Sequence, residues 1–115
     1  MPVQGIGIDI VEVERFRILK GGKTHPFIKK IFTVREITYC FSYKDHAPHL
    51  AGIFALKEAV SKSIGASNIF LFDIEILRGK NGATEAWVFG KKRSSILVSL
   101  THTCTLAFAI ALRQG

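Results

Sequence analysis

Two acids and a lysine stand out for what they would support if brought together. Asp9 ends the run "GIGID", and Glu58 and Lys62 lie four residues apart in "LKEAVSKSIG". On a helix that spacing puts both side chains on one face, with Cβ atoms about 5–6 Å apart. Taken alone, the pair reads as an exposed ion pair worth at most about 0.5 kcal/mol. A strand carboxylate meeting Glu58 changes that reading. Asp9 and Glu58 would then form a two-carboxylate site for Mg2+, a cation that takes hard oxygen ligands, keeps several waters and is completed by substrate phosphates. With Lys62 nearby, the ligand implied is a phosphate ester or anhydride. Spacing by itself does not say that the two acids meet.

His102 is the third candidate, set between two threonines in "VSLTHT" where a strand must end before "TLAF". It reads either as a functional imidazole or as a turn histidine held by a hydrogen bond. His25, His46 and His49 fall in predicted loops and receive no role. No GxGxxG or P-loop pattern is present, and the glycines of "GIGID" precede an acid within a strand instead of opening a helix. Cys40 and Cys104 lack CxxC spacing or a histidine partner arranged for zinc, so reduced thiols are expected.

The elements that must position these groups are read from periodicity. Val3 to Val11 alternates as a strand, with Ile6, Ile8 and Ile10 on one side and Gly5, Gly7 and Asp9 on the other. Glycines inside a strand imply close approach of another group, so open space is expected beside the Asp9 carboxylate. Glu12 to Lys20 reads as a helix stopped by Gly21 and Gly22, and Pro26 to Ile31 as a short helical turn. "TVRE" at Thr33 to Glu36 is a capping box for a helix reaching about Tyr43. A polar loop with Asp45 and Pro48 leads to the long helix "AGIFALKEAVSKSIG". Leu50, Ile53, Phe54, Leu56, Val60 and Ile64 form its buried side, while Lys57, Glu58, Ser61 and Lys62 are expected to face water. "FLFDIEIL" and "ATEAWVF" read as a hairpin around Asn81-Gly82, followed by strands in "SILVSLTHT" and "TLAFAIALR". In the last, Ala107, Ala109 and Ala111 share a face and predict a closely packed helix. Helices in the middle and antiparallel strands at the end give an α+β class, with the N-terminal strand joining the later strands against the long central helix.

At 115 residues, with 48% hydrophobic and 22% charged residues, the chain suits a single globular domain spanning 1–115. No apolar run approaches the roughly 18 uncharged residues of a membrane helix, and a cytoplasmic protein is expected. A net charge of +7 points to a polyanionic partner: nucleic acid, a phosphorylated cofactor or an acidic protein.

Together these segments resemble one family. "GIGIDIVEVERF", "FTVREITYC", "LAGIFALKEAVSKSIG", "NGA" and "VSLTHT" are similar, in order, to the successive motifs of holo-acyl-carrier-protein synthase, the bacterial trimeric type of phosphopantetheinyl transferase. The resemblance implies Mg2+-dependent transfer of phosphopantetheine from coenzyme A to a serine of apo-acyl carrier protein, releasing adenosine 3',5'-bisphosphate, in fatty acid biosynthesis. It implies Asp9 and Glu58 as metal ligands and Lys62 as the basic group near the pyrophosphate. His102 and Thr103 match the end that contacts the nucleotide, and Asn81 and Gly82 match the turn bordering the coenzyme. Glu12 and Arg15 match the polar positions after the aspartate, and Arg15, Arg17 and Lys20 form a basic helix for the carrier protein. The serine hydroxyl attacks the β-phosphate, its proton passing to a water on the metal or to Glu58. The family's trimer implies sites between subunits, with His102 serving a neighbour's Asp9 and Glu58, and no nucleic-acid or membrane partner. Three positions depart from the family: Ile53 where Arg is common, "GASNIF" in place of a Gly-Thr-Gly loop, and Thr84 where Pro often stands. The alternatives are a weakened relative that still binds coenzyme A and a basic nucleic-acid-binding domain.

Overall fold

The computed structural model describes residues 2–115. Strand β1 (Val3–Glu12) lies antiparallel to β6 (Leu106–Gln114), which also pairs antiparallel with β5 (Ile96–His102), giving the order β1-β6-β5. A second antiparallel sheet holds β2 (Ile74–Arg78), β3 (Thr84–Val88) and the two-residue β4 (Lys91–Lys92). Between β1 and β2 run α1 (Glu14–Arg17), α2 (Pro26–Ile31), α3 (Val34–Phe41) and α4 (Ala47–Ile64). The chain is thus α+β, with its first strand paired to its last. Among the described residues no helix is long and apolar enough to cross a membrane.

Small residues explain how α4 sits on the first sheet. Ala107, Ala109 and Ala111 are fully buried at 0% exposure, which lets the helix lie close over β6. On β1 the fit is tighter still. A Cβ at Gly7 would collide with the Ala59 carbonyl oxygen, and one at Gly5 with that of Ser63. The space beside Asp9 on its glycine side is therefore filled by the helix backbone and is not open, because the approach that the glycines permit is made by α4 itself. The opposite face of the sheet is bare: Ile6, Ile8 and Ile10 are 61%, 52% and 58% exposed.

Other local expectations shift for identifiable reasons. The first helix is a single turn, since β1 continues through Glu12 and Val13 caps that turn. The capping box appears as read, with Thr33 and Glu36 bonding each other's backbone N–H groups. The long helix begins earlier than expected, because Pro48 occupies its first turn, where the absent N–H costs no hydrogen bond. Phe70 and Phe72 do not join the hairpin. Leu71–Asp73 forms a 3-10 turn, with Asp73 accepting from the Phe70 N–H, and both rings are exposed.

The largest departure concerns Lys57, which does not face water. Its side chain and that of Glu36 are both 0% exposed, with Nζ 2.6 Å from Oε1. Lys57 Nζ also donates to the Ile31 carbonyl at 2.7 Å. Glu36 Oε2 accepts from the Ile76 N–H at 2.7 Å, and Oε1 from the Thr33 N–H at 2.9 Å. One buried ion pair therefore ties the start of α3, the middle of β2 and the end of α2 to the middle of α4, beside Glu58.

Candidate active site

β1 presents Asp9 opposite Ala109, on the face that α4 covers. Lys62 reaches back from the helix, donating to the Ile8 carbonyl at 2.9 Å and pairing with Asp9 Oδ1 at 3.4 Å. The ammonium thus pairs with the strand acid, a different pairing from the i, i+4 contact with Glu58. Glu58 is half-buried one turn before Lys62. Burial raises its carboxyl above the ordinary value of 4.5; the Asp9 charge pushes the same way, opposed by Lys62 and Arg15. The Arg15 guanidinium lies over the Phe54 ring, 5.2 Å from its centroid. Lys62 and Asp9 are thus in contact, and Glu58 lies near enough to both, and to Arg15, for their charges to act on its carboxyl. A shallow cavity of about 240 Å3 lined by Ile8, Asp9, Ile10, Lys62 and Phe108 opens beside them.

This donor set suits a hard cation. Two carboxylates close enough for one to disfavour ionisation of the other form an anionic pair that a divalent ion would relieve. Among the described residues no cluster of three or more His, Cys, Asp or Glu side chains surrounds a common point. Mg2+ would fit two carboxylates, leaving its remaining positions to water and phosphate.

The other predicted residues lie elsewhere. His102 is exposed at the end of β5, opposite Ala107. The α4 backbone at Gly52 faces Leu100 and His102, while at Ala59 and Ser63 it faces β1. The helix thus passes from β5 near His102 at its Gly52 turn to β1 at its Ala59–Ser63 end. Thr103 builds the β5–β6 turn, its Oγ1 accepting from the Thr105 and Leu106 N–H groups at 3.2 and 3.0 Å. Asn81 and Gly82 form the β2–β3 turn with Gly82 at φ 76°, beside a cavity lined by Arg78, Lys80, Asn81 and Lys92. Arg17 is engaged within the chain, with Nη1 2.8 Å from Asp45 Oδ1 and Nε 3.6 Å from Glu14. Lys20 is exposed just beyond α1. Ile53 is a core residue, only 3% exposed.

Sequence reasoning passed over His49. It lies in the first turn of α4, its ring stacked on Tyr43 at 3.6 Å and 5.2 Å from that of His102. Pro48 concealed it by suggesting a loop; its allowance at a helix start was the available signal.

Comparison with known proteins agrees with this fold. Residues 5–111 match the family model described as ACPS, 4'-phosphopantetheinyl transferase superfamily. The chain belongs to that superfamily and is an enzyme of the phosphopantetheinyl transferase class. It is 37% identical to a holo-[acyl-carrier-protein] synthase of Caldicellulosiruptor bescii, covering 95% of this chain and 96% of that protein. It is 38% identical to the protein of the same name from Clostridium botulinum, covering 96% of each. Among solved structures, a holo-(acyl-carrier-protein) synthase from Bacillus anthracis in complex with CoA (3',5'-ADP) superposes with a TM-score of 0.79 at 28% identity, over 98% of both chains. The Helicobacter pylori enzyme in complex with coenzyme A gives 0.78 at 28% identity, covering 95% of this chain and 99% of that one.

Proposed function

We propose that this enzyme transfers phosphopantetheine from coenzyme A to a serine of apo-acyl carrier protein, requires Mg2+, and releases adenosine 3',5'-bisphosphate in the cytoplasm. The observation that carries the reading is the contact of Lys62 with Asp9 one helical turn from Glu58, in a chain whose relatives bear that enzyme's name. Asp9 and Glu58 would hold the metal. Bound there, Mg2+ supplies neutralisation of the negative charge that gathers on the pyrophosphate during transfer. Lys62, bonded to the Ile8 carbonyl, is held over the same spot and adds a fixed positive charge to it. No protein nucleophile is needed, because the partner's serine hydroxyl attacks. Arg15 and Lys20, with Arg17 braced by Asp45, form the basic edge that steers an acidic carrier protein to the site.

The assembly we propose is a trimer with sites between subunits. Two observations support it. The apolar outer face of β1-β6-β5, where Leu97 and Phe108 add 52% and 39% exposure to that of the isoleucines, is of the kind a subunit interface buries. His102 is exposed at the Gly52 turn of α4, whereas Asp9 sits toward its Ala59–Ser63 end, so the ring is available to another copy's Asp9 and Glu58.

The test is to mix the protein with apo-acyl carrier protein, coenzyme A and Mg2+ and to look for the phosphopantetheine adduct by mass spectrometry. Asp9→Ala and Glu58→Ala are each expected to abolish it. Co-assembling Asp9→Ala with His102→Ala subunits should restore part of the activity, since some shared sites then carry both native halves. No adduct from the native protein would refute the reaction, and absence of complementation would refute the shared site.

A further inference from the structure

On the coenzyme reading just given, His102 contacts the nucleotide end of the donor, yet it is an exposed side chain at the tip of a strand. Such a ring needs a wall if it is to meet a ligand in one orientation. α4 supplies that wall through two residues one turn apart. Gly52 leaves room, since even an added Cβ there would sit 4.0 Å from His102 Cδ2, and His49 presents its ring at 75° to that of His102 with centroids 5.2 Å apart. An edge-to-face contact of this kind is directional, which an aliphatic contact is not.

His49 is itself fixed. Tyr43 stacks on it with a 13° interplanar angle, and Tyr39 meets both rings edge-on, at 6.1 Å from His49 and 5.5 Å from Tyr43. Arg78 closes the outer end, its guanidinium 5.4 Å above the Tyr39 ring and its Nη2 donating to the Tyr39 hydroxyl at 3.1 Å. Arg78 also reaches the Gly82 carbonyl at 3.4 Å. The row of contacts thus runs from the Asn81-Gly82 turn to His102, two segments far apart in sequence that the family reading assigns to the same ligand.

We propose that His49 is a positioning residue for His102: held by Tyr43, it orients the His102 ring toward the nucleotide portion of coenzyme A. The inference rests on the function proposed above. Burial and the His102 charge lower the His49 imidazole below its ordinary value, with Arg78 acting in the same direction and Asp45 opposing. His49 thus serves as a neutral ring, and a ring of similar shape should replace it.

The experiment has two readouts. The first is independent of activity: the ring-proton NMR signals of His102 in the free protein, assigned by loss in His102→Ala. In His49→Ala they are expected to shift and broaden, and in His49→Phe to stay narrow and near their native positions. The second is calorimetric binding of adenosine 3',5'-bisphosphate, together with the KM for coenzyme A. His49→Ala should weaken both on the order of fivefold to tenfold, the scale of one aromatic pair, with kcat nearly kept and His49→Phe restoring them. In the double variant with His102→Ala, the two losses should not multiply. If the native protein binds the bisphosphate while His49→Ala leaves the His102 signals and the affinity unchanged, or if the losses multiply, the positioning role is overturned. Failure of the native protein to bind the bisphosphate overturns the coenzyme reading, and this inference with it.

Discussion

Replacing Lys57 by Met tests whether a lysine predicted to face water is in fact the clamp of the fold. The substitution keeps most of the side-chain volume, so little of its effect should come from a cavity. What it removes is, among the described residues, the only cation within ion-pairing distance of the Glu36 carboxylate, whose side chain is completely buried. The N–H groups of Thr33 and Ile76 would still reach the two oxygens, while the Ile31 carbonyl would lose its Lys57 donor. Breaking a buried pair from one side costs about 3–5 kcal/mol. The retained backbone donors place the expected loss near the lower end of that range, about 3 kcal/mol.

The pH dependence has a definite sign. Burial raises the Glu36 carboxyl and outweighs the pull of Lys57, while burial lowers the Lys57 ammonium. Without Lys57 the Glu36 carboxyl rises further. A carboxyl raised in the folded state contributes stability that is present below the unfolded-state value of 4.5 and is lost as pH rises through the folded-state value. The deficit of Lys57→Met relative to the native protein should therefore be largest near neutral pH and shrink as the pH falls toward 4.5. Urea unfolding of both proteins at about pH 5 and pH 7.5 measures it. A loss below about 1 kcal/mol at pH 7.5, the range of a surface pair, or one equal at both pH values, would refute the buried clamp.

Two further outcomes rest on the site's geometry. Gly7→Ala places a methyl against the Ala59 carbonyl and 3.0 Å from Lys62 Cβ, so α4 must move; a loss of about 1–3 kcal/mol in chemical denaturation is expected, and a neutral result would mean that the helix does not press on β1. The Glu58 carboxyl, tracked by carbon-detected NMR without metal, should titrate lower in Asp9→Asn and higher in Lys62→Met, and no movement in Asp9→Asn would show that the two acids do not sense each other.

Much of the architecture was legible because the patterns answer to single elements. The Thr33–Glu36 capping box and the alanine face of β6 each describe a local requirement, and each appears where expected. Lys57 was not legible because its partner is on another helix. A helical projection assigns charge to the wet side, and only the approach of Glu36, oriented in part by its own capping role, makes a dry ammonium tolerable. The face of β1 was ambiguous for a different reason. Alternation distinguishes Ile6, Ile8 and Ile10 from Gly5, Gly7 and Asp9 but does not say which set the chain itself covers, and here α4 takes the glycine side. Asp9 and Glu58 could be nominated by residue type, whereas which helix residues lie beside Asp9 depended on that choice.

The glycines that permit helix-to-strand contact therefore also set how near the helix carries Glu58 and Lys62 to Asp9. Asp9 is on the same side of β1 as the two glycines, and Glu58 and Lys62 flank Ala59, whose carbonyl faces Gly7. Any Cβ at position 7 would push away the stretch of helix that bears both charged groups. A conventional strand, with β-branched residues on both faces, would pack more apolar surface yet hold α4 farther from the sheet. Lys62 would then lose the Ile8 carbonyl at 2.9 Å, and Glu58 would leave the range in which Asp9 raises its carboxyl. The glycines weaken β1 as a strand. Their position is explained by the close approach of the α4 backbone, which on the proposed function would bring a strand acid and a helix acid within reach of one cation.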